Sequence, residues 1–207
     1  MPAAAFSDLV ELLQWRRDVR HFSTAPVAPE LVQSLVDAAQ LSPSVGFSQP
    51  WRFVRVDSPE ARAKIRASFE SARVAAAEPY DATRQQEYLR LKLAGLDRAP
   101  VHLAVFCDEE TKFGRGLGRQ TMPEMAEYSV VMAVHTLWLA AAAMGLGVGW
   151  VSILNVDEAL AALDVPASWR LVAYLCVGHP EQPSLEPELM RAGWERRDPR
   201  AGQVLVR

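Results

Sequence analysis

Five residues, "RRDVR" at 16–20 inside "WRRDVRHF", put three guanidinium groups around one carboxylate. Arginine grips phosphate through paired, charge-assisted hydrogen bonds, so a cluster of this kind suits an anion. The acid in its middle, Asp18, is then the residue that needs a reason. Three further segments carry groups a ligand can use. "SPSVGFSQPWRF" offers hydroxyls and backbone N–H groups beside aromatic rings. "GLGVGWVS" holds glycines that let a flat molecule approach the main chain. "WERRDPR" near the C-terminus is basic. The four make sense together if they converge on one ligand with an anionic end and a planar aromatic end, as in a phosphorylated ring system.

Each segment also has a plainer reading. "RRDVR" can be a solvated helix end whose cations face the dipole while Asp18 makes a surface ion pair. Ser44 and Ser48 can be turn residues. Trp51 and Trp150 can be core aromatics, and Ser152 an ordinary buried hydroxyl. Arg197 competes with Arg196 for any anion and can equally be a surface charge.

Other chemistries are set aside. "GRGLG" (114–118) and "GLGVG" (145–149) do not match GxGxxG, and the second follows a helix rather than opening one. The four histidines lack HExxH spacing, so no metal site is expected. Ser152 lies in "GWVSI", not GxSxG. The net charge of −3 argues against a general nucleic-acid binder or a membrane-surface protein. Cys107 and Cys176 each end an apolar run without metal-ligand spacing, which reads as two buried thiols in a reducing cytoplasm. The N-terminus lacks the pattern of a secretory signal. From Val130 to Val151 the only strongly polar side chain is His135. This run, rich in Ala and Gly, reads as a buried core helix rather than a membrane span.

The elements that must position these groups can be outlined. Ser7 is placed to cap a helix, "DLVELLQWRR", which delivers the arginines at its C-terminal end. A second helix enters through Pro29 and Glu30 and breaks at Pro43. "RFVRV", "VHLAVFCD" and "WRLVAYLCVGHP" read as strands, and "GWVSIL" as a turn into a short strand or 3₁₀ piece. Residues 59–78 and "VDEALAALDVP" read as helices. Segment 79–99 is polar, then amphipathic, and reads as a mobile helical lid. The tail ends in a possible strand. Strands that are few and widely spaced favour an α+β sandwich around one central sheet over a doubly wound fold. Residues 1–207 read as one domain.

An arginine pair with another arginine three residues on, a "PSxxxxQPW" loop and a long apolar helix ending in "GLGxGW" resemble the FMN-binding nitroreductase superfamily. The resemblance spans nearly the whole chain. "RRDVRHF", "SPSVGFSQPWRF", "GLGRQTMPE" and "GLGVGWVSIL" resemble, within it, the 5,6-dimethylbenzimidazole synthase family. That family fragments reduced FMN with dioxygen to make the lower ligand of cobalamin. Two positions depart from an ordinary nitroreductase: Asp18 stands where Ser or another small polar residue is usual, and Phe47 where Asn is frequent.

The resemblance implies a three-layer α/β/α sandwich with a mostly antiparallel sheet and a lid over the flavin, formed by 79–99 and the loop 113–123. It implies that FMN contacts Arg16, Arg17, Asp18, Arg20, Ser44, Ser48, Gly149, Trp150, Ser152 and Arg197. Asp18 and Ser152 are the implied catalytic residues. A carboxylate among guanidinium groups is expected to be ionised at neutral pH, so Asp18 starts as a general base. Ser152 donates a hydrogen bond near the flavin N5. The products are 5,6-dimethylbenzimidazole and D-erythrose 4-phosphate. Also implied are dioxygen as co-substrate, a separate NAD(P)H-dependent reductase supplying reduced FMN, and a homodimer with two FMN sites at the subunit interface. The alternatives are an NAD(P)H-dependent nitroreductase or flavin reductase, and a non-catalytic FMN-storage or flavin-sensing protein.

Overall fold

The computed structural model describes residues 3–207. Helix α1 (Ala3–Trp15) leads into α2 (Pro29–Ala39), strand β1 (Trp51–Arg55), α3 (Pro59–Ala77) and α4 (Ala82–Arg90). Strand β2 (Val101–Asp108), the long α5 (Met125–Ala143), β3 (Gly147–Val151), α6 (Val156–Leu163), β4 (Trp169–Gly178) and the short α7 (Glu188–Arg191) complete the order. The four strands form one sheet, β1-β2-β4-β3, with every neighbouring pair antiparallel.

The two central strands explain the layers. Side chains alternate across a strand, and both faces of β2 are buried. Val101, Leu103, Val105 and Cys107 enter one core with Val32 and Leu35 of α2 and Val130, Val134 and Leu137 of α5. Ala104 and Phe106 enter a second core with Ile65 and Phe69 of α3 and Ala159 of α6. β4 divides the same way, Leu175 and Val177 on the first side, Tyr174 and Cys176 on the second. This is the expected α/β/α sandwich. Both thiols are buried, which pushes their pKa up to about 11 for Cys107 and about 12 for Cys176.

Helix α5 is apolar and long enough to cross a membrane by composition, but one side of it packs on the sheet. Its other side, with Tyr128, Val131 and His135, is open to solvent, so the helix is only half buried within the chain. Three expectations are corrected. Ser7 lies inside α1, which starts upstream of it. Helix covers only Ala82–Arg90 of segment 79–99, because Ala94, Leu96 and Ala99 are drawn into the second core. The tail Val204–Val206 is exposed and forms no strand, pairing with neither outer strand of the sheet.

His102 sits on β2 with 1% of its surface exposed, its Nδ1 2.9 Å from the Tyr174 hydroxyl. Burial, helped by the Arg62 charge, drives its pKa down from 6.5 to about 4. The unfolded chain takes up this proton at higher pH than the folded one. Stability is therefore retained above pH 6.5 and lost as the pH falls towards 4, by about 1.4 kcal/mol per unit. Thermal melts from pH 7 to 4.5 are expected to fall less steeply for His102→Gln than for wild type. Parallel profiles would remove His102 as the cause.

Candidate functional site

Helix α1 ends at Trp15, and the chain then runs extended along β3. The Val19 N–H donates to the Val148 carbonyl at 3.0 Å, and Asp18 pairs with Val148 as a one-residue parallel bridge. Two glycines of β3 make this contact possible. A Cβ on Gly149 would lie 2.2 Å from the Val19 carbonyl oxygen, and one on Gly147 would lie 2.7 Å from Val19 Cγ2. These glycines admit the arginine-bearing segment, a role the sequence did not suggest.

Asp18 is thereby fixed from both ends. Its Oδ2 accepts from Arg20 Nε at 2.8 Å, and its Oδ1 accepts from the Trp150 backbone N–H at 3.0 Å. Arg20 is itself held, donating from Nη1 to the Lys92 carbonyl at 3.1 Å. The guanidinium neighbours are not the only influence on Asp18. Burial is the largest influence and raises its pKa above the ordinary carboxylate value. The Arg20 charge and the Trp150 N–H oppose that rise without cancelling it, and Glu188 adds to it.

Arg16 and Arg17 play different parts. Arg17 donates from Nε to the Leu185 carbonyl at 3.0 Å and from Nη1 to the Arg16 carbonyl at 2.8 Å, and Nη2 reaches the Gln14 carbonyl. Burial, then repulsion from Arg16 and Arg197, lowers its pKa. Arg16 lies over the Trp138 ring, 5.0 Å from guanidinium carbon to centroid, and its buried Nε has no partner. An unanswered buried donor costs about 1–3 kcal/mol. Crowded like charges with an unanswered donor fit an anionic ligand such as the phosphate of FMN.

Two cavities flank the cluster and share Arg16, Arg17, Asp18 and Arg20. One, of about 380 Å³, is closed by Trp15, Trp138, Gly147 and the stretch Pro180–Ser184. The other, of about 330 Å³, adds Met190, Arg196 and Arg197. Both are of a size that suits small ligands. Arg197 thus joins the cluster, as does its competitor Arg196. Gly149 and Trp150 stand beside Asp18 on β3. Ser152 follows the end of that strand and is exposed.

Ser44 and Ser48 do not join within one chain and line neither cavity. Their loop is pinned elsewhere: the Val45 N–H donates to Ser129 Oγ at 3.0 Å, and Ser44 Oγ accepts from the Gln49 N–H at 3.1 Å. A Cβ on Gly114 would lie 2.6 Å from the Gly46 carbonyl oxygen, so the loop also packs on the 113–118 turn. Ser48 Oγ is buried without a partner. Trp51 is a core residue of β1. Phe47, one of the two positions that depart from the nitroreductase pattern, is exposed at the loop tip.

Sequence reasoning missed Trp138 and Glu188. Trp138 Nε1 donates to the Arg17 carbonyl at 3.2 Å, and Glu188 Oε1 lies 3.1 Å from His21 Nε2. The signal for Trp138 was available: it is the one indole among the aliphatic residues Leu137–Ala143 at the end of α5. Glu188 had none, because only the tertiary packing of the short α7 brings it in.

Sheet order, layers and the arginine cluster on β3 define a nitroreductase-type protein. The chain belongs to the nitroreductase family, whose model matches residues 13–179. Its branch is that of the 5,6-dimethylbenzimidazole synthases. It is 57% identical to the enzyme of that name from Rhodospirillum rubrum, over 91% of this chain and 89% of that one. It is 46% identical to the one from Rhodobacter capsulatus, over 92% of each. Among solved structures it resembles iodotyrosine deiodinase bound to FMN and 3-iodo-L-tyrosine, with a TM-score of 0.74, 25% identity, and coverage of 96% of this chain and 97% of that one.

Proposed function

We propose that the chain catalyses the oxygen-dependent fragmentation of reduced FMN to 5,6-dimethylbenzimidazole, the lower ligand of cobalamin, and D-erythrose 4-phosphate. The observation that carries this reading is Asp18: a carboxyl group bridged to the sheet, raised in pKa, and set among arginines suited to a phosphate. Relatives named for this synthesis support it.

Reduced FMN, when bound, supplies the ring to be broken and the electrons that dioxygen takes. The chain's own residues do the rest. Arg16, Arg17 and Arg197 would hold the phosphate, with the unpartnered Arg16 Nε available to it. Arg20 holds Asp18 in register, and Asp18 moves protons at its carboxyl oxygens. Ser152, exposed past the end of β3, would donate its hydroxyl hydrogen to the bound flavin.

The site reaches its full complement in a homodimer. Ser44 and Ser48 sit apart from the cluster of their own chain, and a second copy seated on the open face of α5 would bring them to it. In this reading, the 113–123 loop covers the ring and excludes water and nicotinamide, while segment 79–99, part of which is drawn into the second core, lines neither cavity. Reduced flavin then comes from a separate NAD(P)H-dependent reductase. Two buried free thiols suit the reducing cytoplasm.

The test supplies chemically reduced FMN and air and seeks the benzimidazole by mass. Its formation without added nicotinamide is expected. No benzimidazole, with steady NAD(P)H oxidation by a nitroaromatic, would replace this reading with a nitroreductase. Flavin binding without any turnover would leave a storage or sensing protein.

A further inference from the structure

Away from the arginine cluster, three aromatic rings meet where α4 packs on the segment after α7. Tyr80, Tyr88 and Trp194 have centroids 5.5, 5.8 and 6.0 Å apart, pair by pair. Arg84 of α4 lies over the Trp194 ring, its guanidinium carbon 3.9 Å from the centroid. Its Nη2 also donates to the Trp194 carbonyl at 3.1 Å, and its Nη1 lies 3.1 Å from Glu87 Oε2. One side chain therefore holds both the ring and the main chain of Trp194. Tyr88 is buried beneath them.

Two and three residues beyond Trp194 come Arg196 and Arg197, which line the cavity shared with Arg16, Arg17, Asp18 and Arg20. Helix α7 has ended at Arg191, and residues 195–198 belong to no helix or strand. The Trp194 N–H donates to the Leu189 carbonyl at 2.9 Å, the last backbone bond before the two arginines. Where they stand is thus decided by where Trp194 is held.

We propose that Trp194, gripped by Arg84 and the two tyrosines, is the positioning residue for Arg196 and Arg197, and that this grip gives the site its preference for phosphorylated over unphosphorylated flavin. The inference rests on the flavin reading of the site. A guanidinium on a loose tail must be ordered before it can hold phosphate, and that loss of freedom weakens binding. Held in advance by a ring stack on α4, the tail meets the phosphate already placed. Riboflavin, lacking the phosphate, does not sense the difference. No residue of the clamp lines either cavity at the cluster, so its action on the ligand is indirect.

The experiment titrates the ligand-free protein with FMN and with riboflavin, read by flavin fluorescence. Arg84→Ala and Trp194→Ala are each expected to weaken FMN by about tenfold and to leave riboflavin unchanged. Trp194→Phe, which keeps a ring, is expected to restore most of the preference. Arg197→Ala is expected to cost less FMN affinity in the Trp194→Ala background than alone, since both act on one contact. Hydrogen exchange across residues 188–198 is expected to speed up in ligand-free Arg84→Ala. Equal losses for both flavins, an unchanged FMN affinity, or unchanged exchange would overturn the proposal. A wild type that binds neither flavin would sink the flavin reading, and exchange across 188–198 would still decide whether the clamp holds the tail.

Discussion

Asp18→Asn is expected to bind FMN and to lose benzimidazole formation by about 10²–10⁴-fold, the range that proton transfer by a placed side chain contributes. The amide is nearly the same shape as the carboxyl group, so the bridge to Val148 and the course of the chain along β3 survive. What changes is chemical. Both carboxyl oxygens accept hydrogen bonds, from Arg20 Nε at 2.8 Å and from the Trp150 N–H at 3.0 Å. An Asn amide has one acceptor, so its NH₂ must face one of these two donors. It also cannot take up a proton at neutral pH. Product mass after mixing with reduced FMN and air measures the loss, and a flavin titration shows that binding remains. Undiminished product would remove Asp18 from the chemistry.

The second large effect is expected at Gly149. An added Cβ would lie 2.2 Å from the Val19 carbonyl oxygen, which is main chain and cannot rotate away. Either β3 or the 18–20 segment must retreat. Overpacking of this kind costs about 1–3 kcal/mol. The retreat also strains the Val19–Val148 and Asp18–Trp150 hydrogen bonds, each worth about 1 kcal/mol. Gly149→Ala is therefore expected to lower the melting temperature by about 5–10 °C. Flavin affinity is expected to fall with it, because the arginines move with Asp18. Gly202→Ala is the control, since nothing lies within 4 Å of its added Cβ. A Gly149→Ala protein that melted and bound flavin like wild type would mean that the segment is not seated through this glycine.

Much of the architecture was legible because burial writes itself into strands. "VHLAVFC" and "LVAYLCV" are apolar at every position or nearly so, as strands covered on both faces must be, and they became β2 and β4. The arginines were legible at the end of α1, and Asp18 was singled out by charge type alone. The remainder depended on contacts between distant segments. Gly147 and Gly149 were visible as glycines, but only the approach of Val19 shows what they admit. Spacing showed the guanidinium groups beside Asp18, but not that the segment lies against β3, where partial burial raises the carboxyl pKa. Ser44 and Ser48 were placed with the arginines by motif, whereas their loop is tied to Ser129 and the 113–118 turn. Ser7 was misplaced because a capping side chain is also tolerated inside a helix, and α1 starts upstream of it.

The stretch that carries the arginines also shields the outer margin of the sheet. β3 is a terminal strand of the sheet, and on its free side the Val148 carbonyl is taken by the Val19 N–H. An uncovered strand margin is a template on which strands of other molecules add, the first step of aggregation. The same few residues thus gather the charges and keep copies of the chain from stacking edge to edge. Damage that frees them from β3 would cost solubility along with turnover.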